Sequence, residues 1–309
     1  MTNIILDCDP GHDDAIAILL LGAHLDKFNV LGVTTSCGNQ TIDKTTKNAL
    51  NVINYLNLPF DVYQGSDRPL YAKTKTCSKI HGKSGLDGFS FKKHNKKALG
   101  NSVDFMINTL HNLDGKCTII TTGPMTNVAK VIKKDKTIKE KIEKIVLMGG
   151  SIGSGNVTPA AEFNINCDPE AASICFKSGI PIYMIGLDVT RKVLVLKDII
   201  ERIKKINNIA SVLFVDLMEA FNKTQKIVFG LDGGPLHDPV TIASLIDDKL
   251  VTYKYVNVEI DTKSKQSYGR TNCDIPDYLH KKKNAYVATD IDVNRFWDII
   301  EDGIRKYGE

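Results

Sequence analysis

Asp7, Asp9, Asp13 and Asp14 place four carboxylates within eight positions, directly after the apolar run at residues 4–6. So dense a group of acids does not suit a packed core, and like charges held close need a cation or protons to be tolerated. Residues 4–6 are β-branched or apolar throughout, as in a buried parallel strand, and residues 15–21 read as the helix that follows. The acids therefore fall at the carboxyl end of a strand, the edge where open α/β sheets bind ligands. Pro10-Gly11 forces a turn that allows all four acids to converge. With no Cys or His at ligand spacing, an all-oxygen set favours a hard divalent ion, Ca²⁺ or Mg²⁺, over zinc. Taken alone, Asp13 and Asp14 can also be read as negative charge complementing the dipole at a helix N-terminus.

The elements that must position these acids alternate along the chain. Residues 30–35, 60–63, 117–121, 145–148 and 182–185 are short apolar runs that read as strands. Amphipathic stretches such as 42–55, 103–113 and 169–177 lie between them and read as helices. This order predicts βαβ units: an α/β fold with a mainly parallel, Rossmann-like open sheet flanked by helices. Further on, 199–206 and 210–224 read as helices, alternation around 253–260 predicts a small antiparallel edge pair, and 293–304 closes the chain as an amphipathic helix. No repeat, linker or low-complexity tract interrupts the pattern, so residues 1–309 are read as one domain.

Composition narrows the function classes. A chain of 309 residues with 42% hydrophobic content can bury a large core. The formal charge is +4, and its lysines are scattered through segments such as 133–144 without interleaved aromatics, which reads as solvated surface and not as a nucleic-acid groove. Seven cysteines, an odd number without a C-x-x-C pair, suit a reducing compartment and argue against a structural zinc site. Met1-Thr2-Asn3 leads straight into the first strand, and no apolar run is long enough to span a bilayer, so a cytoplasmic location is expected.

Polar groups recur at other strand ends. Thr121-Thr122-Gly123-Pro124 and Met148-Gly149-Gly150-Ser151 follow two of the runs, with glycines that let backbone approach a ligand closely. Asn156 opens a stretch that ends in Ala161-Glu162-Phe163-Asn164-Ile165-Asn166, whose polar side chains would point one way if it is extended; the alternative is a turn leading into a helix capped by Asp168-Pro169. His237-Asp238-Pro239 reads as a helix start with a neighbouring imidazole. Residues 65–97 show little periodicity and include His81-Gly82-Lys83-Ser84-Gly85, which suits either a lid or a flexible basic loop.

These phrases in order resemble a known family. Asp7-Cys8-Asp9-Pro10-Gly11-His12-Asp13-Asp14-Ala15 resembles the signature of the calcium-dependent nucleoside hydrolases, the inosine-uridine preferring ribohydrolases. The likeness continues through Gly38-Asn39-Gln40-Thr41, His81-Gly82, Thr122-Gly123, Leu147-Met148-Gly149-Gly150, Ala161-Glu162-Phe163-Asn164, Asp168-Pro169-Glu170, Gly186-Leu187-Asp188-Val189-Thr190 and His237-Asp238-Pro239. It implies a Ca²⁺ held by Asp9, Asp14, the main-chain carbonyl of Thr122, and Asp238. It implies ribose 2′- and 3′-hydroxyls bound by Asp13 and Asn164, a 5′-hydroxyl held by Asn156 and Glu162, and Met148 and Phe163 packed near the sugar. Asn39 would orient the attacking water and Asp9, and Asp7 would stand behind the ligands. The implied reaction is hydrolysis of the N-glycosidic bond of a ribonucleoside in nucleoside salvage, with Asp9 as general base to a Ca²⁺-bound water. His237 would be the acid for the leaving base or a base-binding residue, and His81 would contact sugar or base. The family also implies a homodimer or homotetramer.

The stretch 230–236 before His237 resembles the pyrimidine-preferring bacterial branch, which points to uridine and cytidine, with inosine still open. Phe229 stands where base contacts are expected. The purine-specific group relies on aromatic stacking, and this chain has one tryptophan, Trp297, in its terminal helix. Two other readings compete. An aspartyl phosphatase also begins with a strand and D-x-D, but here Pro10-Gly11 follows Asp9, and no phosphate-cradling glycine loop precedes a Lys-Ser or Lys-Thr. A catalytically silent nucleoside-binding protein would be separated from an enzyme by release of free ribose from uridine.

Overall fold

The computed structural model describes residues 1–308. Its strands are β1 (Thr2–Cys8), β2 (Phe28–Thr35), β3 (Val62–Gln64), β4 (Cys117–Thr121), β5 (Ile142–Met148) and β6 (Ile182–Ile185). They are followed by β7 (Val251–Val256), β8 (Val258–Ile260), β9 (Thr271–Cys273) and β10 (Ala285–Ile291). Eight of them form one sheet in the order β3-β2-β1-β4-β5-β6-β10-β7. Every neighbouring pair is parallel except β10 with β7. β8 and β9 form a separate antiparallel pair. This is the α/β architecture that the alternating pattern predicts.

Strand order reverses at β1. The chain runs outward from β1 through β2 to β3, then returns to place β4 on the other side of β1. Crossovers leave that point in opposite directions, which opens a crevice at the carboxyl ends of β1 and β4. Register fixes its floor: Asp7 of β1 pairs with Thr34 on one side and Thr121 on the other.

The two faces of the sheet carry separate cores. Ile4, Leu6 and Cys8 of β1 belong to one, and Ile5 belongs to the other, as a period of two requires. On the first face lies the helix His12–Gly22, buried from His12 to Leu21. It packs against the helices Ile42–Tyr55, Ile209–Phe229, Pro239–Ile246 and Val293–Arg305. An all-round apolar helix such as this must be surrounded. Truncating Leu20 to alanine would cost about 2–5 kcal/mol, the usual range for a fully buried leucine. This rigid helix carries Asp13 and Asp14 at its first turn.

Three expectations need correction. The segment 253–260 does not form a pair with itself: β7 joins β10, the chain changes sheets at Asn257, and β8 pairs with β9. β10, which links β6 to β7, was not foreseen. Residues 161–166 are not extended, because Glu162 caps the short helix Phe163–Cys167 by accepting from the N–H groups of Asn164 and Ile165. The expected cap at Asp168 is present, accepting from Ala171 N with Pro169 following.

Candidate active site

The β1 turn brings three of the four clustered acids together and leaves one out. Asp7 shares the face of Ile5 and points away from the helix that bears Asp13 and Asp14; its Oδ1 accepts from Thr34 Oγ1 at 2.7 Å and Asn127 Nδ2 at 2.8 Å. The convergence of all four acids is therefore corrected: strand alternation turns Asp7 into a separate network under the sheet.

Asp14 binds the turn. One oxygen accepts from Gly11 N at 2.9 Å and Asn39 Nδ2 at 3.1 Å, and the other from Thr122 Oγ1 at 2.7 Å and Asp9 N at 3.3 Å. These bonds fit the helix-terminus reading of Asp14. Asp9 accepts the N–H of Asn39 at 2.6 Å through Oδ2, while its Oδ1 is buried with no partner. Space for it comes from the turns after β2 and β4, since a Cβ at Gly38 or at Gly123 would run into the Asp9 carboxylate.

Asp238 arrives from the far end of the chain, just ahead of Pro239, and makes no capping bond to its own helix. Ligand oxygens of Asp13, Asp14 and Asp238 lie within 4.8 Å of one another, and all three residues are buried. Asp13 Oδ1 is a second buried oxygen without a partner. Asp9 lies outside that trio, with its Oδ2 on the Asn39 N–H. An all-oxygen, buried, electron-rich set with orphaned oxygens fits a hard divalent cation.

Burial raises the affinity of these acids for protons, and their neighbours raise it further. Asp13 is pushed up to about 7, by burial first and then by Asp14. Asp238 and Asp9 are pushed well above the usual carboxylate range by burial and by the surrounding carboxylates. Asp7 reaches about 7 through burial, opposed by Asn127 and Thr34.

These shifts have a sign in stability. An acid whose folded pKa is raised stabilises the fold while protonated and loses that contribution as pH rises through the folded value. Buried histidines act in the opposite sense, but that contribution is complete above their unfolded value of 6.5. Between about pH 6.5 and 8 the metal-free protein should therefore melt at progressively lower temperature, and saturating Ca²⁺ should flatten the slope. Melting curves in chelator and in Ca²⁺ check this; a melting temperature in chelator that is level or rises across the window contradicts it.

Above the acids opens a cavity of about 800 Å³, within the usual range for small-molecule sites. Asp13, Asn39, His81, Thr122, Met148, Asn156, Glu162, Phe163, Asn164, His237 and Asp238 all line it. Asn164 Nδ2 donates to the carbonyls of Thr122 at 2.8 Å and Met148 at 3.1 Å. The Thr122 carbonyl thus has one lone pair in use and one left. Asn156 Oδ1 accepts from Phe163 N at 2.9 Å, and Glu162 accepts from Gly150 N at 2.8 Å as well as from its own helix. Those N–H bonds oppose the burial that lifts Glu162 to about 6.

His237 Nδ1 meets Thr190 Oγ1 at 2.7 Å. Burial, then Arg191, lowers this imidazole to about 3. His81 sits at the end of the helix Ser78–His81. The part of segment 65–97 just beyond it is tied down: Gln40 Nε2 donates to the Gly82 carbonyl at 2.7 Å, and Asn48 Nδ2 to those of Pro10 and Ser84 at 3.0 and 2.9 Å.

Sequence reasoning missed the wall supplied by the helix Ile209–Phe229. Phe221, Gln225 and Val228 line the cavity beside Phe229. Their spacing of three to four residues marks one face of a helix, and that helix runs past residue 224 to Gly230, where a left-handed φ of 72° ends it. The C-cap glycine was the available signal.

The fold and the site have close counterparts. A purine-preferring ribonucleoside hydrolase from Gardnerella vaginalis matches with a TM-score of 0.92 and 32% identity, covering 99% of each chain. The pyrimidine-specific ribonucleoside hydrolase RihB of Shigella flexneri serotype 5b is 42% identical over 306 residues, covering 99% of this chain and 97% of that protein. RihB of Escherichia coli K12 DH10B is 43% identical over the same length. The protein is accordingly a hydrolase of N-glycosyl bonds. The family model for inosine-uridine preferring nucleoside hydrolase matches residues 4–298, and the chain belongs to that family.

Proposed function

We propose that this protein hydrolyses pyrimidine ribonucleosides, uridine and cytidine first, to free base and ribose, using Ca²⁺. The observation that carries the reading is the trio Asp13, Asp14 and Asp238, within 4.8 Å and beside the unpartnered Asp9 oxygen, at the base of a cavity sized for a small molecule. The pyrimidine preference rests on the RihB relatives at 42–43% identity, against 32% for the purine-preferring neighbour. Release of ribose from uridine, cytidine and inosine, with and without chelator, tests it. Equal or faster release from inosine would move the preference to purines, and full activity in excess chelator would remove the metal.

Asp9, Asp14, Asp238 and the free lone pair of the Thr122 carbonyl are the groups that would hold the ion. When bound, Ca²⁺ would supply Lewis acidity for a water and fixed anchors for sugar hydroxyls. Breaking the C1′–N bond builds positive charge on the ribose, and the buried carboxylates lower the energy of that oxocarbenium-like state. Asp9 takes the proton of the attacking water through its free Oδ1, while Asn39 N–H keeps the carboxyl group turned into place. Asp13 and Asn164 receive the 2′- and 3′-hydroxyls, Asn156 and Glu162 face the 5′-hydroxyl, and Met148 and Phe163 exclude water beside the sugar. A homodimer or homotetramer and a place in nucleoside salvage complete the reading, supported by the family resemblance. A cytoplasmic location belongs to the same reading; among the described residues no helix is long and apolar enough to cross a membrane.

His237 meets the departing base as its acid or as a base-binding residue. With the Thr190 hydroxyl turned toward Nδ1, the neutral ring presents Nε2–H to the base as a hydrogen-bond donor; transfer of the proton itself needs the imidazolium form, which burial and Arg191 disfavour. His237→Ala should slow uridine about 100-fold while slowing a nitrophenyl riboside only a few-fold, because that leaving group needs no proton. Equal slowing of both substrates assigns His237 to positioning instead.

A further inference from the structure

One buried residue of the metal turn has no part in the reaction just described. His12 lies between the acids at Asp9 and Asp13, buried at the first position of the helix His12–Gly22. Its ring makes two contacts. Nε2 stands 2.7 Å from the carbonyl oxygen of Asp87, and a carbonyl only accepts, so this nitrogen carries a hydrogen toward Asp87. The main-chain N–H of His12 donates to His81 Nδ1 at 3.2 Å, and the bare Nδ1 of His12 lies against that same atom at 3.2 Å as a packing contact, since neither nitrogen then has a hydrogen to share. Residue 12 thus occupies one edge of the His81 ring twice over. Nε2 is the ring nitrogen of His81 left for a molecule in the cavity.

The remaining sides of His81 are closed as well. Phe221 stacks against it with centroids 5.8 Å apart and planes 20° from parallel, and against His12 at 5.4 Å and 29°. Beneath it lies Gly11, where an added Cβ would come within 2.5 Å of His81 Nδ1. Asp87, which accepts from His12 with its carbonyl, accepts with its carboxylate from Lys83 N at 3.0 Å and Ser84 N at 2.9 Å, so it gathers the turn that follows His81.

We propose that His12 is a positioning residue: by anchoring Asp87 and holding the Nδ1 edge of His81, it locks that imidazole with Nε2 toward the nucleoside. The turn that bears the acids thereby also sets the group that meets the substrate from the opposite loop. Orientation of this kind is worth a large factor in turnover, since displacement of a reacting group by about 1 Å can cost about 100-fold. The proposal rests on the hydrolase reading above and on His81 acting in it.

Two substitutions separate the contacts. His12→Ala removes both ring contacts and leaves the main-chain N–H on His81 Nδ1; His12→Gln places an amide near the position of Nε2 and keeps a donor for Asp87. With the Ca²⁺-loaded full chain and uridine, His12→Ala should lower kcat about 10- to 100-fold with KM changed less than about threefold, and His12→Gln should recover most of the loss. In a His81→Ala background, His12→Ala should add less than about twofold, as expected when two residues act as one unit. The rise in melting temperature on adding Ca²⁺ should be unchanged in both variants. Additive losses, no rescue by glutamine, or a lost Ca²⁺ response would overturn the proposal, the last by showing that His12 merely shapes the metal turn. If the unmodified protein released ribose from no nucleoside, the hydrolase reading would fail by itself. The coupling would then be read from the ¹⁵N imidazole signals of His81: a shift on His12→Ala supports it, and indifference to residue 12 overturns it.

Discussion

Asp238→Asn is expected to abolish turnover, by about 1,000-fold or more, while raising the melting temperature of the metal-free protein by about 2–5 °C. The two effects have one origin. Asp238 is buried against Asp13, Asp14 and Asp9, and each of those carboxylates makes its ionisation harder. Without a cation, the fold must take up a proton there or bear the repulsion of an ionised group. An asparagine of the same shape needs neither and can donate to Asp13 or Asp14, so the apo fold gains. The holo fold loses a ligand, and the melting shift on adding Ca²⁺ should shrink accordingly. A variant that keeps its Ca²⁺ shift and turns over uridine within about tenfold of the unmodified protein would remove Asp238 from the site.

The second large effect falls on Asp9. Asp9→Asn retains an oxygen and keeps the shape admitted by Gly38 and Gly123, but an amide cannot take a proton from water. Turnover should drop about 1,000- to 10,000-fold with KM for uridine changed only a few-fold, the pattern of an interaction made in the transition state alone. The amide also brings an N–H₂ group toward Asn39 N–H, which the carboxylate presently satisfies at 2.6 Å. The side chain can flip to offer its oxygen there, so stability should fall by no more than about 1 kcal/mol. Near-normal hydrolysis by this variant would send the search for a base elsewhere in the cavity.

Some of this architecture is legible from residue order, and the limits have physical causes. The strands Cys117–Thr121 and Ile182–Ile185 and the helix Ile42–Tyr55 stand where periodicity places them, because each has one unambiguous period and clear flanking breaks. The acids at Asp9, Asp13 and Asp14 are recognisable for their density alone. Asp7 is not separable from them in one dimension; only the alternation of β1, once its ends are fixed, sends it toward Asn127. Residues 161–166 mislead because alternating polar residues suit a strand, whereas the buried Glu162 carboxylate here serves as the cap of a five-residue helix. β10 and the change of sheets at Asn257 depend on partners far away in sequence, and a local pattern holds no record of them. The same holds for Phe221 and Gln225, whose place in the cavity wall follows from where their helix packs.

The closeness of Asp13, Asp14 and Asp238 has a consequence for how the molecule comes into being. Asp14 belongs to the first strand-helix unit and Asp238 to the last third of the chain, so the two meet only when nearly every crossover of the sheet is in place. A cation bound there acts as a reversible clasp on a loop that spans most of the chain, and a nascent chain or a fragment ending before residue 238 has nothing for it to close. Ca²⁺ would then mark completed molecules: its binding energy is withheld from every partly built form and delivered only to the finished one. Its removal should leave folding of the early strands unaffected and hasten opening of the whole.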